Sequence, residues 1–232
     1  MTTKAILFGS IGAVAETSDI QRRAYNRAMA ENGVDWEWDT DTYGRLLESA
    51  GGMDRLDLLS AATGEGLSDE QIEAIHARKT ELACDEVRSE GGAGLRPGVA
   101  AMVRHARDND LKLGFVTTTY RPNVDAILQA AGEDLSEADL DVIVVREDVE
   151  RGKPSPDAYR VALDRLGLSP DEAIAIEDTE NSIRSAKRAG LKVVATPGAL
   201  TKGQDTSDAD LALDSLGDAD SVDHRILDLM DA

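Results

Sequence analysis

One cysteine, Cys84, is present in 232 residues. That excludes an internal disulfide and any metal site built from cysteine alone, and it fits a reducing compartment. No uninterrupted apolar run approaches the roughly 20 residues that a membrane-spanning helix needs. No basic segment followed by an apolar stretch opens the chain, and Met1 reads as a true start. The expectation is therefore a cytoplasmic protein, neither exported nor membrane-bound. Positive charge is also scarce: 25 Lys and Arg stand against 45 Asp and Glu, a formal net charge of −20. A surface of that sign favours solubility and repels nucleic acid and anionic lipid, so neither is an expected partner. An anionic ligand would have to find a local positive pocket. Internal repeats and low-complexity linkers are absent as well.

What is present is enough for a sizeable core: 41% of the residues are hydrophobic. Short, continuous apolar runs occur at 5–8, 113–116, 142–145, 173–176 and 193–195. Runs of this kind suit strands of a parallel sheet covered on both faces. Between them, Val99, Met102, Val103 and Ala106 follow helical spacing. So do Val124, Ile127, Leu128 and Ala131, and again Tyr159, Ala162, Leu163 and Leu166. The alternation predicts an α/β fold with a doubly wound parallel sheet. After the first strand, about 80 residues carry helical pattern and little strand signal. The reading is a core of residues 1–14 plus 93–232, with residues 15–92 inserted as a helical cap over the C-terminal edge of the sheet.

Three segments carry chemistry. In Gly152-Lys153-Pro154-Ser155-Pro156-Asp157, Pro156 suits a first helical turn and Ser155 can cap it, holding Lys153 at a loop end. An ammonium there can neutralise a phosphoryl or carboxylate group. In Ile176-Glu177-Asp178-Thr179, two carboxylates sit side by side at a strand tip. Such groups are costly unless hydrated, paired or metal-bound, and they suit Mg²⁺; Asp178 or Thr179 could equally cap the following helix. Thr117-Thr118-Thr119 places hydroxyls and backbone N–H groups at another strand end, a natural phosphate cradle.

Together and in this order, these segments resemble the haloacid-dehalogenase superfamily, and in particular its CbbY-type sugar-phosphate phosphatases, whose described activity includes xylulose-1,5-bisphosphate dephosphorylation. The resemblance runs nearly the whole length. Gly51-Gly52-Met53-Asp54-Arg55 is similar to a Gly-Gly-Lys-x-Arg cap loop, with Met53 in place of the lysine. His76 and Lys79, then Leu95-Arg96-Pro97-Gly98, look like the end of the cap and the return to the core. The resemblance implies a Rossmann-like core and a phosphate pocket. It also implies Mg²⁺ as cofactor and a small phosphorylated sugar, or inorganic phosphate or sulfate, as ligand. Carried over, Thr117 and Lys153 bind the phosphoryl group, with Ser10, Thr118 and Thr119 beside them. Gly51, Gly52 and Arg55 reach a second phosphate, Glu16 the sugar hydroxyls, and Glu177 with Asp178 the metal.

The first motif of that family departs here. Where it has Asp-x-Asp-Gly-Thr, this chain has Gly9-Ser10-Ile11-Gly12-Ala13. Gly9 stands at the nucleophile and Ile11 at the acid–base aspartate. Ser182 also replaces a glycine of the fourth motif. Losing a nucleophile costs about 10⁴ to 10⁶ in rate in hydrolases dissected this way. The expectation is an inactive relative that keeps a phosphate pocket, with Mg²⁺ binding weakened because two carboxylates are gone. Three alternatives stand beside it. One is a working Mg²⁺-dependent hydrolase of unconventional mechanism, Ser10 being the nearest hydroxyl. Another is a ligand-free interaction protein. The third is a nucleotide-binding loop at Gly9–Gly12 with Glu31 as its acidic partner, a poor match because Glu31 lies in a helical pattern.

Overall fold

The computed structural model describes residues 3–9, 11–48, 51–63, 66–89 and 91–232. Within them, strand β1 (Ala5–Phe8) takes the middle of a six-stranded sheet of order β3-β2-β1-β4-β5-β6. The others are β2 (Lys112–Val116), β3 (Val142–Val144), β4 (Ala173–Glu177), β5 (Lys192–Ala195) and β6 (Leu211–Ala212). Every pairing is parallel: Ala5 faces Lys112 on one side and Ala173 on the other. The five expected strands are all present, with ends shifted by a residue or so. The sixth, β6, is a two-residue edge strand, too short to leave an apolar run of its own.

Alternation along β1 explains why the strand reads as one apolar run. Ile6 and Phe8 pack on one face against Val14, Val99, Met102 and Val103. Ala5 and Leu7 pack on the other against Ala158, Tyr159 and Ile183. Both faces are buried, so neither set of positions tolerates a polar side chain.

A short helix α1 (Ile11–Val14) follows β1, and among the described residues four helices then run without an intervening strand. They are α2 (Ser18–Glu31), α3 (Thr40–Leu46), α4 (Gly52–Thr63) and α5 (Asp69–Arg88). Asp39 caps α3 by accepting from Thr42 N, and Ser68 with Gln71 forms a capping box on α5. These helices own a separate apolar cluster built on Tyr25, Met29, Trp38, Tyr43, Leu56 and Ile75. The chain leaves and returns at one place. Ala15 and Leu95 form an antiparallel bridge, and Arg96 N donates to Val14 O at 2.8 Å.

Beyond the return, α6 (Val99–Asp108), α7 (Arg121–Ala131), α8 (Asp157–Leu166), α9 (Glu180–Arg188) and α10 (His224–Asp231) cover the sheet. Gly98, just before α6, has φ of 85°. A Cβ there would collide with the backbone at Leu216 and Gly217, so glycine is required on both counts. Pro156 takes the cap position of α8, and no side chain caps that helix; the cap expected from Ser155 is not made.

Arg96 ties the return point together. Its guanidinium donates to Gly12 O at 2.9 Å, to Pro197 O at 3.0 Å and to Thr196 O. Charged donors of this kind are strong, and removing one strands its carbonyl partners. Arg96→Met is expected to lower the unfolding free energy by about 2–4 kcal/mol, read from a urea denaturation midpoint.

Candidate functional site

Because the sheet is parallel, β1, β2 and β4 all end at the same edge. There they deliver Gly9, the Thr117–Thr119 stretch and Glu177-Asp178 side by side. A cavity of about 190 Å³ opens above that edge. From the sheet side it is lined by Ile11, Gly12, the three threonines, Lys153, Asp178, Thr179 and Ser182. From the helices it is lined by Gln21, Tyr43, Gly51, Gly52, Arg55, His76 and Lys79, with Tyr120 at the start of α7. Ser10 lies outside the described residues.

Beneath the cavity floor sits a buried charged pair. Lys153 Nζ is 2.7 Å from Glu177 Oε1, with the two side chains 5% and 0% exposed. The ammonium also donates to Val116 O at 2.9 Å and to Gly9 O, and it lies 4.7 Å from the centre of the Tyr159 ring. Its three protons therefore have three protein acceptors. The Tyr159 hydroxyl donates to the same Glu177 oxygen at 2.5 Å, while Oε2 is buried with no hydrogen-bond partner among the described residues. Burial, the largest effect, raises the Glu177 pKa against the opposing pull of Lys153. Burial likewise holds the Tyr159 hydroxyl protonated, well above the usual phenol range.

Gly9 adjoins this cluster. A Cβ placed there would overlap the Tyr159 hydroxyl and the Glu177 carboxylate. The space that a side chain at position 9 would use is filled. At Gly12 a Cβ would overlap the Asp178 carboxylate, so glycine lets Asp178 come against the backbone of α1. Thr179 caps α9, accepting from Ser182 N at 3.3 Å, so the cap falls to Thr179. Thr117 is 4% exposed and its hydroxyl accepts from Thr119 N at 3.1 Å, which fixes the turn of the threonine cradle.

Among the described residues, the expected site positions Gly9, Glu16 and Glu177 are not on the cavity wall. Glu177 is drawn under the floor by Lys153 and Tyr159. Glu16 accepts from Ala199 N at 2.9 Å and Ser18 N at 3.3 Å, anchoring a loop instead of facing a ligand. Arg55 does line the cavity, donating to Leu46 O at 2.9 Å with its guanidinium 5.8 Å from the Tyr43 ring centre. Met53, in the lysine's place, meets the Tyr120 hydroxyl at 3.7 Å. Tyr159 had been legible only as a helix-face residue. A buried tyrosine needs a partner for its hydroxyl, and that was the available signal for its place beside Glu177.

A parallel sheet of this order, with a lysine, a threonine cradle and an acidic pair at one edge, is a Rossmann-like α/β core of the kind found in haloacid dehalogenase-like hydrolases. The chain belongs to the haloacid dehalogenase-like hydrolase family, whose model matches residues 3–190. It is 38% identical to protein CbbY of Rhodobacter capsulatus, over 94% of this chain and 96% of that one. Among solved structures, CbbY from Rhodobacter sphaeroides in complex with phosphate has a TM-score of 0.82 at 38% identity, covering 93% of this chain and 95% of that one. A mutant of the same protein in complex with xylulose-(1,5)bisphosphate has a TM-score of 0.84 at 37% identity, covering 96% and 100%.

The family generally uses Mg²⁺, an ion that demands near-octahedral oxygen ligation. The residues here do not fit it. Gly9 and Ile11 bring no side-chain oxygen, and Glu177 Oε1 is held by Lys153 and Tyr159. Of the acidic pair, Asp178 alone lines the cavity. Among the described residues there is no group of three or more His, Cys, Asp or Glu placed to hold a metal.

Two outcomes follow for stability. Lys153→Met leaves Glu177 buried without its cation and is expected to cost about 3–5 kcal/mol; adding Glu177→Gln recovers part of it, measured by equilibrium denaturation. Gly9→Ala must push aside Tyr159 or Glu177 and is expected to cost about 1–3 kcal/mol, a loss that Tyr159→Phe reduces.

Proposed function

We propose that this chain binds small phosphate esters in the cavity and does not hydrolyse them through an aspartyl-phosphate. The observation that carries this reading is at Gly9: no nucleophile is present, and the volume one would need is occupied by Tyr159 and Glu177. Ile11 offers no proton to a leaving oxygen. What remains is a binding surface. The Thr117–Thr119 cradle and the charge of Lys153 favour a phosphoryl group, and Gly51, Gly52 and Arg55 face it from the helices. The ligands of the CbbY structures, phosphate and xylulose-1,5-bisphosphate, are the first candidates. In this reading residues 15–92 act as a cap that closes the cavity from water, over a core of 1–14 plus 93–232. The setting is cytoplasmic. Binding does not require Mg²⁺, since position 9 has no carboxylate and Glu177 Oε1 is held by Lys153 and Tyr159.

The test is phosphate release from xylulose 1,5-bisphosphate in the presence of Mg²⁺, run beside calorimetric binding of inorganic phosphate with and without EDTA. The expected result is no release above the buffer rate, and phosphate affinity that EDTA leaves unchanged within about twofold. Turnover by the native protein overturns the reading. A Gly9→Asp/Ile11→Asp variant is expected to stay weak while Tyr159 and Glu177 fill the space beside position 9.

A further inference from the structure

Among the described residues, the apolar cluster of the inserted helices takes one member from outside residues 15–92. It is Leu200, half-buried and packed against the group built on Tyr25, Trp38, Tyr43 and Leu56. A Cβ on Gly44 of α3 would lie 3.4 Å from Leu200 O, so the two backbones run close together. The loop that carries Leu200 follows β5 and is braced along its length. Arg96 holds Thr196 O and Pro197 O. Glu16, where the helices leave the core, accepts from Ala199 N at 2.9 Å. Gly198 N donates to the Thr201 hydroxyl at 2.8 Å, and Gln204 accepts from Glu180 N at 3.0 Å, fixing the far end to α9. Ordering a loop this way costs conformational entropy, and what it holds in place is one leucine against the helices. Two more contacts join core and helices at the rim of the cavity. Asn181 Nδ2 donates to Glu48 O at 2.6 Å. The Tyr120 ring stands 5.4 Å from that of His76, and its hydroxyl meets Met53 Sδ at 3.7 Å.

We propose that Leu200 is a latch. Its braced loop, with Asn181 and Tyr120, holds residues 15–92 down over the cavity by protein contacts alone, and a ligand enters or leaves only when the latch lets go. This rests on the reading of those residues as a cap and deepens it. The cavity is well covered in this arrangement: Thr117, Lys79, Asp178 and Gln21 all line it, yet each is between 4% and 7% exposed. Glu16 is the brace nearest the latch. Its carboxylate ties the loop to the point where chain passes from core to cap, since Ser18 N at the start of α2 donates to it as well. A Cβ on Gly198 would overlap that carboxylate, so the loop approaches Glu16 this closely because position 198 is glycine. The kinetic consequence is specific. Latch contacts are made whether or not a ligand is inside, so weakening them speeds opening of both states by one factor. Association and dissociation then rise together and affinity stays the same. Losing a contact to the ligand itself speeds dissociation alone. Losing a leucine that only fills space changes neither rate.

The experiment has two arms, each run on native protein, Leu200→Ala and Asn181→Ala. The first uses no ligand. Trinitrobenzenesulfonate is added, and modification of Lys79 inside the cavity is followed by peptide mass spectrometry against the exposed Lys4. Lys79 should react slowly in native protein and about tenfold faster in Leu200→Ala, the effect of about 1.4 kcal/mol removed from the closed state. Asn181→Ala should act in the same direction by a smaller factor, and Lys4 should not change. The second arm follows the fluorescence of Trp36 and Trp38 in a stopped-flow instrument as inorganic phosphate or xylulose 1,5-bisphosphate binds. Association and dissociation should both rise about tenfold in Leu200→Ala, with Kd constant within about twofold. Lys79 reacting as fast as Lys4 in native protein, or at a rate that neither substitution changes, overturns the latch. Faster dissociation with unchanged association also overturns it, because that marks a cap that rests open. Failure of both probes to bind overturns the phosphate-ester reading, and the first arm then decides the latch. Should Leu200→Ala not fold, Asn181→Ala, which removes one hydrogen bond and little packing, decides alone.

Discussion

The buried pair between Lys153 and Glu177 is the contact on which the rest of the site depends. One ammonium joins the ends of three neighbouring strands: Gly9 after β1, Val116 on β2 and Glu177 on β4. Such a pair adds little net stability over a well-packed apolar one, because both charges leave water to make it. Its effect is on arrangement. With no side chain at position 9, Glu177 and Tyr159 occupy the space a Cβ there would take, and the ammonium offsets the negative charge at the edge of the sheet. The loss at Gly9 is thus not an isolated deletion. Glu177 and Lys153 meet each other and the strand ends beside it.

That rearrangement sets the polarity of the cavity. In the resemblance drawn from sequence, the floor holds the phosphoryl group through a lysine, hydroxyls and a metal. Here the floor keeps its hydroxyls, but its lysine is shared among protein oxygens and its glutamate is hidden. The opposite wall, built from α2, α4 and α5, carries Arg55, His76 and a buried lysine with a ring instead of a carboxylate for company. A chain with net charge −20 has gathered basic side chains around this cavity. The overall charge repels; the cavity attracts. Local arrangement outweighs the global sum over distances shorter than the screening length.

Much of this was legible in the residues. The five main strands stood out because both faces of the sheet are covered, and the helices because their buried faces repeat at helical spacing. Thr117, Thr118, Thr119, Lys153 and Asp178 were found because loops at strand tips of a parallel sheet meet at one edge. Gly51, Gly52 and Arg55 came through as a motif and do reach the cavity. Glu177 and Glu16 were misplaced for one reason: a carboxylate's neighbours in sequence do not reveal which distant donor will claim it. Lys153 is 24 residues from Glu177, and the Ala199 amide is 183 from Glu16. Tyr159 was read as packing because its period matched a helix face, and periodicity is silent about a hydroxyl. β6 escaped because two residues at an edge make no pattern.

The place of β1 in the sheet also bears on how the chain acquires its fold. Residues 5–8 find their partners at 112–115 on one side and at 173–176 on the other. The strand that comes first in this sequence therefore cannot complete its ladder until residues 173–176 are in place. The helices between Ser18 and Arg88 carry their own apolar cluster and can consolidate while β1 still waits. Contacts of such sequence separation make for slow folding. During that interval the exposed Ala-Ile-Leu-Phe segment is an open strand edge, short enough and followed soon enough by Gly9 and Gly12 to offer a stray partner little to extend.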